Sequence, residues 1–293
     1  MTIFELVNVV LQSLYKEAKQ FYGAKTDDAI RDRMAYLSQT YAKLNVKGRI
    51  PVDYKDPATR FAYVYKYVAS HADYLVQILK SASAAIGGPL FPDGTLRLSC
   101  IGGGPGSDII GVLKYLKDVN DAGNKEGTTK LICYLLDKEK GWADTWTELD
   151  EHIDLGVQLN TNFQPLDVLN ASSWEAQRKF LQADVFTLSY FVSEVMALDT
   201  HGQVGIFWNT LFAEAKPGAI FVYNDNGHTD FSSYFDSFWK AAGLKEIVAE
   251  DDHRIVPSYS EQASELAAFI KKFDQFPKLK GQVSYRVLRK PDK

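Results

Sequence analysis

The run Leu98-Ser99-Cys100-Ile101-Gly102-Gly103-Gly104-Pro105-Gly106-Ser107-Asp108 joins a strand-like apolar stretch to the first turn of an amphipathic helix, through a turn with almost no side chains. Glycine tolerates positive φ, and its missing Cβ lets a ligand lie against the backbone. A helix starting at Ser107 aims its free N–H groups and positive dipole end at whatever covers the turn. Two carboxylates follow in order. Asp137 closes the apolar run Leu131–Leu136, where it could accept both hydroxyls of a ribose. Asp167 follows Phe163-Gln164-Pro165-Leu166, where it could accept from an exocyclic amine while Val168 offers a backbone N–H to the ring. The set suits a flat, polar, nucleotide-like ligand. The joint order of the acids carries more weight than the Gly-rich turn alone. Lys138 and Trp142, just past Asp137, complete the candidate binding set; Trp142 could cover the ring or simply pack.

Three further groups bear chemistry. Ser189-Tyr190-Phe191-Val192-Ser193-Glu194 follows a fourth apolar run, and Glu194 there could orient or deprotonate an amine or hydroxyl, or cap the helix it starts. Asn224-Asp225-Asn226-Gly227-His228 follows a fifth; Asn224 and His228 are candidates for chemistry, against the alternative of a turn built from turn-forming residues. Tyr63, Tyr67 and His71 recur at spacing four and share one helix face, either packing a helix on a sheet or lining a site.

The elements that position these groups change character near residue 90. Before it the periodicity is helical: Ile3–Tyr22, then a helix capped by Thr26-Asp27-Asp28 and running to about Leu44, then Ala58–Ala84 behind Asp56-Pro57 as N-cap and first position. Gly87-Gly88-Pro89 and Pro92-Asp93-Gly94 break the pattern. Beyond them, strands are predicted at Leu96–Ile101, Lys130–Leu136, Phe163–Leu166, Asp184–Tyr190, Ala219–Asn224, Lys245–Ala249 and Gln282–Leu288. The first five are joined by helix-length connections, as a parallel sheet requires. An insertion, His253–Lys280, carries a helix from about Glu261 to Phe273. The expected organisation is an α/β domain over residues 91–293 with an N-terminal helical cap over residues 1–90.

The 293 residues are 46% hydrophobic and 24% charged, an ordinary globular balance. No apolar run is long enough to span a bilayer and no secretory signal is evident, so a cytoplasmic protein without membrane contact is expected. Cys100 and Cys133 lie in predicted strands and read as core residues, not a disulfide. The net charge of −4 excludes an all-over nucleic-acid-binding surface. It leaves room for a local patch: residues 271–293 hold eight Lys/Arg against Asp274 and Asp292, suited to RNA phosphates or to a solvated tail and edge strand.

From about Leu96 onward the chain resembles the class I S-adenosylmethionine-dependent methyltransferases, on the Gly-rich turn, the two ordered acids, the seven strands and Ala215-Lys216-Pro217-Gly218-Ala219-Ile220 before the fifth strand. The resemblance implies a seven-stranded, mostly parallel Rossmann-like sheet and S-adenosyl-L-methionine as cofactor. Gly102, Gly103, Gly104 and Gly106 would then face its methionine part, Asp137 its ribose, and Asp167 with Val168 its adenine. Ser189 and Tyr190 would lie between methionine and methyl acceptor. The pair Lys245–Ala249 and Gln282–Leu288 would correspond to the family's reversed last strand. Many members have an acid two residues before the first Gly, where this chain has Cys100; Asp108 is the nearby substitute. Methyl transfer of this kind needs a held nucleophile and excluded water, with no metal. The acceptor is a small molecule or RNA. Two other readings stay open: an NAD(P)-dependent oxidoreductase, which also uses a Gly-rich turn and a following acid, and a non-catalytic, partner-binding subunit of methyltransferase type.

Overall fold

The computed structural model describes residues 2–46, 49–123, 127–153, 156–257, 259–278 and 280–292. Helix α1 (Ile3–Tyr22) opens with a reciprocal capping box between Thr2 and Glu5. Helix α2 (Thr26–Tyr41) lacks the expected side-chain cap. A tight turn, Gly23–Lys25, runs straight into it, and the Thr26 hydroxyl donates back to the Gly23 carbonyl at 2.6 Å. Helix α3 (Pro57–Tyr63) begins as predicted, with the Asp56 carboxylate accepting from the Ala58 N–H at 2.9 Å. A π-helical turn, Val64–Val68, joins it to α4 (Ala69–Ile86).

The remaining elements are β1 (Gly94–Ile101), α5 (Ser107–Asp121), β2 (Thr128–Asp137), α6 (Gly141–Asp150), β3 (Gln158–Pro165), β4 (Val185–Ser189), α7 (Val192–Val195), α8 (Gln203–Glu214), β5 (Ile220–Asn226), α9 (Thr229–Ala241), β6 (Lys245–Ile255), α10 (Tyr259–Glu265), α11 (Ala267–Phe273) and β7 (Gly281–Arg289). The seven strands form one sheet in the order β3-β2-β1-β4-β5-β7-β6. β1 to β5 pair in parallel, and β7 runs antiparallel to both β5 and β6. Only β7 is therefore reversed, not the pair expected from the sequence. β6 also extends six residues past Ala249, to Ile255, so the insertion is shorter and its helix is two helices meeting at Leu266.

Strand alternation divides the core between two faces. Leu96, Leu98 and Cys100 of β1, with Ile220 and Val222 of β5, pack under the N-terminal helices, α5 and α6. Ile101, Phe221 and Tyr223 pack with the aromatic side chains of α8 and α9 on the opposite face. The two cysteines are buried and free. α4 lies close against α5: a Cβ on Gly111 would stand 2.9 Å from the Ala72 carbonyl. Phe269 and Phe273 of α11 pack on Phe61 of α3, at centroid distances of 5.3 and 5.6 Å. The N-terminal helices and the late insertion thus share one core above the same end of the sheet. Among the described residues, no helix is long and apolar enough to cross a membrane.

Candidate functional site

β1 ends at Ile101, and the chain turns back toward α5 through three glycines with positive φ: Gly102 at 65°, Gly104 at 49° and Gly106 at 91°. They are glycine for different reasons. A Cβ on Gly102 would stand 2.1 Å from the Phe191 ring, and one on Gly106 would stand 2.2 Å from Trp146, so packing fixes both. A Cβ on Gly104 would meet nothing nearer than Trp142 at 3.9 Å, because that residue faces a cavity. The Gly104 N–H donates to Asp137 at 3.0 Å, and the Glu139 N–H donates to the other oxygen at 2.9 Å. Burial pushes the Asp137 carboxyl up to about 6, against the pull of those two N–H groups. β2 lies on one side of β1 and β4 on the other, so the strand order reverses above this turn and opens a crevice there. That reversal, with antiparallel β7 set between β5 and β6, decides the architecture. The chain has the class I methyltransferase fold.

The cavity above this sheet has a volume of about 430 Å³. Its floor carries Gly102, Gly104, Asp137, Lys138, Asp167 and Val168. Asp167 uses one carboxylate oxygen to accept from the Leu169 N–H at 3.0 Å, which shapes the loop after β3. Ser189 also lines the cavity and accepts from the Asn224 amide at 2.7 Å. Gly103 and Gly106 brace the turn from within: the Gly103 N–H donates to the Leu136 carbonyl and the Gly106 N–H to that of Gly103. Asp108 lies buried at the start of α5, outside the cavity wall, and burial raises its carboxyl while Thr187 and Ser189 oppose the rise.

The roof comes from the N-terminal helices. Trp142 of α6 packs on Tyr54 and Tyr63 at 4.9 and 5.4 Å, Tyr63 on Tyr67 at 5.5 Å, and Tyr67 on His71 at 5.6 Å. The π turn lies between Tyr63 and His71 and keeps their rings together on the cavity. Tyr190 stacks on His71 at 3.9 Å with the planes 10° apart. It does so with a φ of 54°, rare for a bulky residue. Glu194 also faces the cavity, but Arg49 holds it: one guanidinium nitrogen donates to its carboxylate at 2.8 Å and to its carbonyl at 2.7 Å.

Of the residues singled out for chemistry, Tyr190 and Glu194 reach the cavity. Asn224 lies fully buried beneath it, and His228 caps α9 at the surface, accepting from the Asp230 N–H at 3.3 Å. Between them, Asp225 is the buried carboxylate of β5. It accepts from the Ser193 and Asn226 N–H groups, and burial pushes it up to about 6. Tyr41, Tyr54, Arg49 and Lys278 went unrecognised in the sequence. The first two stand out only as part of a high tyrosine count, and the two cations carry no local signal.

No protein-family model matches the sequence, and no curated protein does. Solved structures similar in fold include the carbon methyltransferase CurJ (14% identity, 94% of this chain and 71% of that one, TM-score 0.46). They also include the 16S rRNA methylase ArmA (10% identity, 88% and 97%, TM-score 0.42). A third is the N-methyltransferase NodS from Bradyrhizobium japonicum WM9 with bound S-adenosyl-L-homocysteine (11% identity, 78% and 89%, TM-score 0.40). All three scores fall below one half, and the fold assignment stands on the strand order.

Proposed function

We propose that this chain is an S-adenosylmethionine-dependent methyltransferase acting on a small-molecule acceptor. One observation carries the reading: a single cavity runs from the Gly turn and its two acids into a chamber walled by Tyr63, Tyr67, His71 and Tyr190. The floor fits the cofactor. Gly104 leaves open space where a ligand would lie, and Asp137 is already oriented by two main-chain N–H groups. On this reading Asp137 holds the ribose, Asp167 and Val168 the adenine, and the Gly turn the methionine part. The bound cofactor supplies an activated methyl group. The chain's own part is to hold the acceptor in line and exclude water.

The C-terminal cations favour a small acceptor over RNA, since much of their charge is engaged within the fold. Lys272 pairs with Asp27 at 2.9 Å, Arg286 is buried against Asp236 and Asp251, and Lys290 donates to the Ala213 carbonyl at 2.7 Å. An RNA site would need such groups facing phosphate.

Calorimetric titration with S-adenosyl-L-homocysteine, NADH and NADPH tests the reading. Micromolar binding of the first alone is expected. Binding of a nicotinamide cofactor would instead make the chain an oxidoreductase, and silence from all three a partner-binding scaffold. Protection of the bound protein by short RNA would overturn the small-molecule half.

A further inference from the structure

The cavity wall also carries a cation, Lys278, that lacks an ion-pair partner among the described residues. Lys278 follows α11, and its backbone is fixed at both ends: its N–H donates to the Lys66 carbonyl at 2.9 Å, and its carbonyl accepts from the Ser70 hydroxyl at 2.7 Å. Its ammonium lies 5.0 Å from the centroid of the Tyr190 ring and 5.9 Å from that of Tyr67. Among the described residues it takes part in no ion pair. Burial pulls it down to about 8, and Asp225 only partly offsets this. A half-buried ammonium resting on two aromatic faces is an incomplete arrangement, because π faces replace only part of the hydration it has lost.

Two neighbouring polar atoms are also unsatisfied. The Tyr190 hydroxyl and His71 Nε2 are buried without a hydrogen-bond partner. Burial and the adjacent Lys278 push His71 well below its ordinary value, so its ring is neutral. The stack of Tyr190 on His71 holds both in place, and Tyr190 keeps a left-handed backbone to make it. Buried polar groups are normally paired, and two unpaired ones beside a half-buried ammonium without an ion-pair partner call for a missing ligand group.

We propose that Lys278, Tyr190 and His71 form a subsite for the carboxylate of a flat, conjugated methyl acceptor. The inference rests on the small-molecule reading above and names the class of acceptor. The ammonium and the phenol would each donate to one carboxylate oxygen, a charge-assisted pair. The rings of Tyr63, Tyr67 and Trp142 would flank the acceptor's planar body, leaving its nucleophilic atom directed toward Gly104 and the methyl donor.

The test uses the full chain saturated with S-adenosyl-L-homocysteine. Benzoate, trans-cinnamate and indole-3-acetate are each titrated against their primary amides. At least one acid should bind about tenfold or more tightly than its amide, the worth of a charge-assisted hydrogen bond. Lys278→Met should erase that preference while the variant still binds S-adenosyl-L-homocysteine, and Lys278→Arg should keep it. If no acid is preferred over its amide, or if Lys278→Met retains the preference, the subsite is overturned. Failure of the parent protein to bind S-adenosyl-L-homocysteine would sink the methyltransferase reading itself, which separates the two failures.

Discussion

The floor and the roof of the cavity are built from different materials. The floor is backbone: a turn of glycines at the end of β1, and a carboxylate at the end of β2 held by the Gly104 and Glu139 N–H groups. The roof is side chain: rings of Tyr54, Tyr63, Tyr67, His71 and Trp142 packed at tilted to edge-on angles, with Arg49 holding Glu194 beside them. A backbone site offers little latitude, since changing it means changing the fold. A side-chain site can be re-specified one ring at a time. On the proposed function, the floor is the part shared by every reaction of this kind, and the roof selects the acceptor.

Two glycines two residues apart, Gly102 and Gly104, give the sharpest test of that contrast. Gly102→Ala forces a Cβ to 2.1 Å from the Phe191 ring with φ at 65°. It should lose roughly 2–4 kcal/mol of stability through strain and overpacking. Gly104→Leu directs its bulk into the cavity instead, with Trp142 at 3.9 Å as its nearest neighbour. It should lose only about 1 kcal/mol for the left-handed backbone while weakening S-adenosyl-L-homocysteine binding on the order of a hundredfold or more. Thermal melts and titration on both variants separate the two. A stable Gly102→Ala, or a Gly104→Leu that binds normally, would break the distinction between packing glycine and ligand glycine.

Asp137 gives the next largest effect, and it acts on both stability and binding. Its carboxyl is raised to about 6 by burial, so the folded chain holds its proton more tightly than the unfolded chain does. The stability it contributes is present below its unfolded value and is lost as pH rises through about 6. Asp137→Asn removes that titration but sets an amide NH2 against one of the two main-chain N–H donors. It should therefore lower the melting temperature while making its fall between about pH 5 and 7 shallower than in the parent, about 6 being the parent's own midpoint. The same change should weaken S-adenosyl-L-homocysteine by roughly 1.5–3 kcal/mol, because the ribose loses a charged acceptor. Parent affinity should climb with pH across about 6, and the variant's should not. Asp225 titrates in the same window in both proteins, so the difference between them isolates Asp137. An Asn variant that binds as well as the parent would remove the ribose assignment.

The two halves were not equally legible in the sequence. The floor could be read because parallel strands put their ends at one edge, and glycine and acid there have few other uses. Even so, the resemblance put Gly102, Gly103, Gly104 and Gly106 against the cofactor, whereas close packing on Phe191 and Trp146 accounts for Gly102 and Gly106. Those partners lie 89 and 40 residues further along the chain (191 − 102 and 146 − 106), beyond any local pattern. The roof was half visible: Tyr63, Tyr67 and His71 share a face because helical spacing requires it, but Tyr41, Tyr54 and Lys278 arrive from other elements. Lys278 in particular sat unnoticed within a basic run whose members do unlike things. Lys272 is paired at the surface, Arg286 is buried under the sheet edge, and Lys278 faces the cavity. Strand boundaries slipped for a similar reason. β6 carries exposed acids and a histidine past Ala249, and only its pairing with β7 keeps those residues in a strand.

The smallest expected effect decides what Glu194 is for. From the sequence it reads as an orienting group or base, yet its carboxylate accepts from an Arg49 side chain that is only 7% exposed, itself 28% exposed. The Arg49 guanidinium already occupies both that carboxylate and the Glu194 carbonyl beside it. The pair reads better as a latch, fastening the chain between α2 and α3 onto α7. Glu194→Gln keeps the arginine's bond to the Glu194 carbonyl and removes only the charge, so a loss of about 1–2 kcal/mol is expected, below the full cost of a buried pair because Glu194 is partly wet. Arg49→Met should lose a similar amount. The double variant should be less destabilised than the sum by about 1 kcal/mol, since the second change removes a partner already lost. Affinity for S-adenosyl-L-homocysteine should shift less than about threefold in all three, as the latch touches the roof and not the floor. Once an acceptor is in hand, a latch predicts that Glu194→Gln slows turnover only modestly and more for weakly bound acceptors. A base predicts turnover lost by about a hundredfold with the melting temperature unmoved.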